Sequence, residues 1–206
     1  FNGRTSGSDP LSPGSNPGPP AIIICALPQV LIGEFLLATK EQEIMGNRVW
    51  KIYLSGEIHT SWREEIRLGV ERLALPLDLL APVTIHEDSD NCGAVILGPE
   101  QDKFWYDRKG AAINAIRTRA LIGEAEIVVV RFGEQYRQWN AAYDAGMSVA
   151  MGKSLITLHD RALDHALKEV DAAALAVCRQ TEQVINTLRY VIEGRLPRES
   201  ADLAAE

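Results

Sequence analysis

Cysteine is scarce: Cys25, Cys92 and Cys178 lie far apart in 206 residues and form no C-x-x-C pair. That spacing argues against a disulfide scaffold or a cysteine-rich zinc centre. Basic charge is also short, with 21 Lys and Arg against 28 Asp and Glu and a net charge of -7. The surplus from which proteins gain affinity for nucleic-acid phosphates is therefore missing, and no nucleic-acid partner is expected. No uninterrupted apolar run reaches the roughly 20 residues of a spanning helix. The longest, AIIICALPQVLIGEFLLA over 21–38, is broken by Pro28, Gln29 and Glu34, so stable membrane association is not expected. These absences leave an acidic globular protein for which a reducing cytoplasm is the default compartment.

What is present falls into three parts. Residues 1–20 contain five Pro, four Gly and four Ser with almost nothing apolar, a composition unable to offset the entropy of ordering. Residues 1–44 are expected to be a disordered or non-core extension, 45–195 the folded domain and 196–206 a flexible tail. Neither a charged region directly before the apolar run nor an Arg-rich transit pattern occurs in the extension, so it carries no targeting signal of those kinds.

From Val49 onward strand and helix patterns alternate. VWKIYL (49–54) is rich in β-branched and aromatic residues and reads as a strand; Ser61 and Glu64 then make an S-x-x-E capping signature ahead of Trp62, Ile66, Val70 and Leu73 at helical spacing. LDLLAPVT (77–84) reads as a second strand, Ile85 to Lys109 as a long polar loop, and Gly110 to Ile122 as a helix. EIVVVRF (126–132) is a continuous apolar run suited to a central parallel strand covered on both faces. Asn140 is expected to cap AAYDAGMSVAMG, SLITL (154–158) and ALAVC are further strands separated by a helical HALKEVDAA, and Thr181 is expected to cap the last helix, TEQVINTLRYVIEG. This alternation predicts an α/β fold: a doubly wound, flavodoxin-like or Rossmann-like parallel sheet of about five strands with helices on both faces.

Ligands in such folds sit beyond the carboxyl ends of the strands, which here means Ser55–His59, the 85–109 segment, Phe132–Asn140 and His159–Asp160. The turn SGEIH can bring backbone amides to a polar ligand, although it is neither G-x-G-x-x-G nor a P-loop. With Asn140 as cap, Asp144 falls at the fourth helical position, where the helix N-terminus favours an ionised carboxylate. Its neighbours Ala141, Ala145, Gly146 and Ser148 are small and leave room for a ligand. His59, His86, His159 and His165 match no established metal-ligand spacing, so neither a metal nor another cofactor is expected. Trp105 and Tyr106 could stack on a base, and Arg117, Arg119 and Arg131 could hold a phosphate or form surface ion pairs.

WKIYLSGEIH (50–59), WREEI (62–66), APVTxHExSDxCG (81–93), KFWYDxKGAxINAIRTR (103–119), VVVRFGExYxQWNAAYDAG (128–146) and LHDxxxHALKEVDAAALAV (158–177) together resemble the YtoQ family, which is grouped with the nucleoside 2-deoxyribosyltransferases. The resemblance implies cleavage or transfer at the N-glycosidic bond of a (deoxy)nucleoside or nucleotide through a carboxylate nucleophile. The wider group's nucleophile is the Glu of a G-x-x-x-E-L-G helix motif; the matching run is Asn140-Ala-Ala-Tyr-Asp144-Ala-Gly146, which gives Asp144 that role. Tyr53 and Gly56 match a Y-x-x-G turn whose groups position sugar and nucleophile. The group's acid in the helix before the central strand has no counterpart in INAIRTRAL. Asp107 is the nominated proton donor, with Glu57 and His86 in reserve and Asn114 a further substitute. Substrate contacts are expected from Ser55, Gly56, Glu57, His59, His86, Trp105, Asn114, Asn140 and Gly146. A homo-oligomer is implied as well, since related transferases complete each site with a neighbour's residues. The rival reading is a non-catalytic nucleotide-binding module on the same fold.

Overall fold

The computed structural model describes residues 48–135 and 138–196. The expected extension over 1–44, and all but the first residue of the expected tail, lie outside the described residues. Five strands, β1 (Trp50–Gly56), β2 (Leu77–Leu80), β3 (Ile127–Phe132), β4 (Ser154–His159) and β5 (Ala176–Cys178), pair in parallel in the order β2-β1-β3-β4-β5. Six α-helices are described: α1 (Trp62–Arg72), α2 (His86–Leu97), α3 (Lys103–Glu124), α4 (Trp139–Ala150), α5 (Lys168–Ala173) and α6 (Thr181–Glu193). This is the expected doubly wound α/β fold.

The central strands read as unbroken apolar runs because both of their faces are covered. Ile52, Leu54, Ile127, Val129, Ile156 and Leu158 pack on one side against α1 and α6, through Trp62, Ile66, Val70, Val184, Ile185 and Leu188. Tyr53, Val128, Val130, Phe132 and Leu155 pack on the other side with Ile122 of α3 and Ala141 and Ala145 of α4. The edge strands β2 and β5 have four and three residues, and short edges offer little template for a foreign strand.

Four local expectations are corrected. The segment from Ile85 to Lys109 is not a loop: α2 fills its first half, and α3 begins at Lys103, capped by Asp102 accepting from the Trp105 amide at 3.2 Å. Hydrophobic periodicity missed α2 and the start of α3, before the helix read from Gly110, because α2 buries only Gly93 and α3 buries nothing ahead of Gly110. Ser61 precedes α1 but does not cap it through a box with Glu64; its hydroxyl donates to Glu65 at 2.8 Å. Asn140 is the second residue of α4, not its cap, and the residue before the helix, Gln138, turns its amide back onto Gly133 and Gln135 at 3.0 Å each. Thr181 is the first residue of α6, and the Gln183 side chain accepts from the backbone N–H of Arg179 and Gln180.

Helix α2 grips α3, not the sheet. Gly93 lies so close to Gly110 and Lys109 that a Cβ would overlap their backbone. Asn114 ties the same crossing, donating to the carbonyl and hydroxyl of Ser89 at 2.9 and 3.1 Å. Among the described residues no helix is long and apolar enough to cross a membrane.

Gly93→Ala should therefore lower stability by about 2–4 kcal/mol in urea unfolding, because two helix backbones must separate to admit one methyl. A loss below about 0.5 kcal/mol would show that the crossing yields freely.

Candidate active site

Strand order reverses between β1 and β3, and their carboxyl ends open the crevice that this topology offers to ligands. Strand β1 ends at Gly56 with φ +96°, and the next amide, of Glu57, donates to the Arg131 carbonyl at 3.1 Å. A Cβ on Gly56 would overlap that carbonyl oxygen, so only glycine fits both the dihedral and the approach. One residue earlier Ser55 stands in register with Val130 of β3, fully buried. Its hydroxyl donates to Asp144 Oδ2 of α4 at 2.5 Å.

Asp144 lies on the sixth residue of α4, beyond the first turn, so the expected ionisation by the helix N-terminus is much reduced. Burial raises its carboxyl above the ordinary aspartate range, and the Ser55 hydrogen bond offsets part of that rise. Tyr53 is fully buried on the same face, with a hydroxyl that makes no hydrogen bond of normal geometry. Burial raises its pKa; the Thr118 hydroxyl lowers it in part, and the charge of Asp144 raises it further.

Glu57, also at the β1 exit, behaves oppositely. Burial pushes its carboxyl up, but the Thr60 hydroxyl at 2.5 Å, the amides of His59 and Thr60, and Arg131 together hold it below the usual range. Its carboxylate organises the turn and is held towards its charged form. The turn is held from the other side by α1: Trp62 Nε1 donates to the Glu57 carbonyl at 2.8 Å, and the Arg63 guanidinium donates to the carbonyls of Leu54, Gly56 and Glu57.

The remaining predicted residues are dispersed. His59 and His86 meet edge to face at 6.3 Å, bringing the first residue of α2 to the rim of the β1 turn, and His86 also faces Asp90 at 3.3 Å. Asp107, the nominated proton donor, has a side chain that is 61% exposed and faces Lys103 at 3.5 Å. Trp105 is exposed in the first turn of α3, stacked edge-on against Phe104. Asn114 joins α2 to α3. Asn140 is exposed near the start of α4. Gly146, two residues beyond Asp144 and hence about 200° around the helix, lines a groove between α4 and α5 with Ala142, Val149 and Val170. Arg63 was missed. Its signal was a cation in the first turn of a helix, where the helix dipole disfavours one.

A second polar cluster crowns β4. Buried His159 has Nε2 3.0 Å from Asp171, which also accepts from the Thr157 hydroxyl at 2.8 Å. His159, Asp164 and Asp171 have the spacing of three metal ligands. The Arg179 guanidinium, however, lies 2.6 Å from Asp164 and 3.0 Å from His159 Nδ1. That positive charge already answers the carboxylate, so a metal there would have to displace an arginine.

Comparison with known proteins identifies related chains. The family model described as nucleoside 2-deoxyribosyltransferase YtoQ matches residues 53–192. A Bacillus subtilis (strain 168) protein described as uncharacterized protein YtoQ is 40% identical over 142 residues, covering 69% of this chain and 96% of its own. Among solved structures, the 2-deoxyribosyltransferase of Bacillus psychrosaccharolyticus aligns at 17% identity and TM-score 0.42 over 67% of this chain and 95% of that one. A de novo designed Rossmann 2x3 fold protein aligns at 12% identity and TM-score 0.38, over 75% and 98%.

A raised Asp144 pKa has a defined sign in stability. The folded state holds that proton more tightly than the unfolded state, so the associated stability is complete below about pH 4 and lost as pH rises through the folded value. Asp144→Asn should consequently unfold at a higher temperature than the wild type at pH 7, by a few degrees, with the difference shrinking towards pH 4. A variant less stable than the wild type at pH 7 would contradict the burial penalty. In a carboxyl titration followed by NMR, Ser55→Ala should move the Asp144 pKa further up.

Proposed function

Because the chain belongs to the YtoQ family of nucleoside 2-deoxyribosyltransferase-like proteins, we propose that it cleaves or transfers the N-glycosidic bond of a (deoxy)nucleoside or nucleotide with Asp144 as nucleophile. The observation that carries this reading is the Ser55–Asp144 pair: a carboxylate made costly by burial, aimed by one hydroxyl, at the crevice where this topology takes ligands. A carboxylate kept for structure would gain from an ion pair. Among the described residues Asp144 makes none.

In the proposed cycle an Asp144 oxygen attacks the anomeric carbon as the C–N bond breaks, and the bonding electrons leave on the base, which takes the proton of the Tyr53 hydroxyl. A second base, or water, then attacks the sugar carbon from the vacated side, gives its proton back to Tyr53 and releases Asp144. Ser55 holds the unattacking oxygen. Tyr53 stays protonated at neutral pH and donates where charge develops beside Asp144. Its burial and orphaned hydroxyl support it for that role over Asp107, which is exposed and paired with lysine, and over charged Glu57.

The proposal includes a homo-oligomer. Val95, Ile96 and Leu97 of α2 and Phe104, Trp105 and Ile116 of α3 are all more than half exposed, apolar side chains of the kind that a second copy of the chain would cover. Light scattering should give a mass at least twice 22.7 kDa; a species of that mass alone would remove this part of the proposal.

Base release from a panel of nucleosides and their 5'-phosphates, followed by chromatography, tests the activity. Asp144→Asn should lower turnover by about 1000-fold or more while binding persists, as expected when a covalent route is closed. A 2-fluoro-2-deoxy nucleoside should leave its sugar on a peptide containing Asp144. Binding without release in the wild type would favour the non-catalytic nucleotide-binding module, and a label on Glu57 or Asp107 would move the nucleophile.

A further inference from the structure

We propose that Arg63 is a positioning residue: its guanidinium, directed wholly at the carbonyls that leave β1, fixes the orientation of Ser55 and, through it, of the Asp144 carboxylate. The inference rests on the role proposed above for Asp144.

Nε donates to the Leu54 carbonyl at 3.0 Å, Nη2 to the Gly56 carbonyl at 3.1 Å and Nη1 to the Glu57 carbonyl. The first two flank Ser55, so the backbone on either side of that residue is tied to one rigid plane. The indole of Trp62 lies under the same group, 4.5 Å from Cζ to the ring, and donates to the Glu57 carbonyl. Arg63 makes no ion pair with a carboxylate among the described residues, and burial pushes its pKa down to about 10.

Such a placement is unfavourable in two ways. A cation in the first turn of a helix opposes the helix dipole, and a desolvated guanidinium without a carboxylate forfeits most of its compensation. What the arrangement gains is direction. Arginine presents several donors in a fixed planar fork, whereas the ammonium of lysine is a single point on a flexible stem. The fork holds the carbonyls of Leu54, Gly56 and Glu57 in one geometry. The ladder to β3 fixes Ser55 and Gly56 from one side, and Arg63 adds a restraint from α1 where the strand ends.

The test uses the full chain with Arg63→Lys and Arg63→Met, each alone and combined with Ser55→Ala, on whichever nucleoside the wild type cleaves fastest. Arg63→Lys should lower kcat by about 10- to 100-fold with KM within about threefold, the signature of a misplaced reacting group in place of a lost binding contact. Ser55→Ala should cause a similar loss, and the double variant should add less than about threefold to it, because both act on one carboxylate. Independent multiplying losses, or wild-type kcat in Arg63→Lys, would overturn the proposal; should Arg63→Met fail to fold, the lysine variant carries the test.

If the wild type releases no base, the glycosyl-transfer reading fails by itself, and amide exchange decides the role of Arg63. Arg63→Lys should then speed exchange at Gly56 to Thr60 by about tenfold while Val128 to Val130 stay within about twofold. Unchanged exchange at the β1 turn would overturn it.

Discussion

The carboxyl edge of this sheet is organised by one close approach, that of the Gly56 backbone to the Arg131 carbonyl, with no space for a side chain between them. From that contact the rest of the edge follows. The chain must leave β1 through a left-handed residue, which turns Glu57 inward against Arg131 and the Thr60 hydroxyl. The preceding residue, still in the ladder opposite Val130, faces the other side of the sheet and meets α4. One glycine thus separates a carboxylate that builds the turn from a hydroxyl that addresses another carboxylate.

Those two acids show how environment divides labour between like groups. Glu57 is buried, yet it is held ionised because several donors and a guanidinium converge on it. Asp144 has one hydroxyl and no cation, and its charge is costly. Acid–base sites commonly push neighbouring carboxyl groups apart in this way. Tyr53 adds a neutral, unsatisfied hydroxyl to the expensive side of the divide. The turn around Glu57 gathers several donors onto one carboxylate, while Asp144 and Tyr53 are left with few partners.

The layered fold was legible because parallel strands buried on both faces announce themselves as apolar runs, VVVRF most plainly, and because the intervening helices α1 and α6 carry one apolar stripe each. Helix α2 and the first turns of α3 were hidden for the complementary reason: they meet through glycines and an asparagine, which leave no apolar stripe to read. At the site, the strand-end rule led to Ser55 and Gly56, and the family motif to Tyr53, Gly56 and Asp144. The depth of Asp144 along α4 was misjudged because Asn140 is a good cap by type, while Gln138 with its side chain turned backwards gives no sequence cue. Arg63 was obscured because its partners are main-chain carbonyls, which no side-chain pattern records.

Parallel pairing also dictates an order of assembly. Ser55 and Asp144 are 89 residues apart, and β1 cannot gain its inner neighbour until β3 exists, after three helices and an edge strand have been made. Long-range pairings of this kind are entropically late events. During synthesis the apolar strand that will carry the site therefore waits with one edge open, and the carboxylate reaches its hydroxyl only after the third strand and the helix behind it are in place. A partly folded chain holds the two halves of the pair without joining them, and the site around Asp144 comes into being late, as a product of the fold's last long-range contacts and not of any local segment.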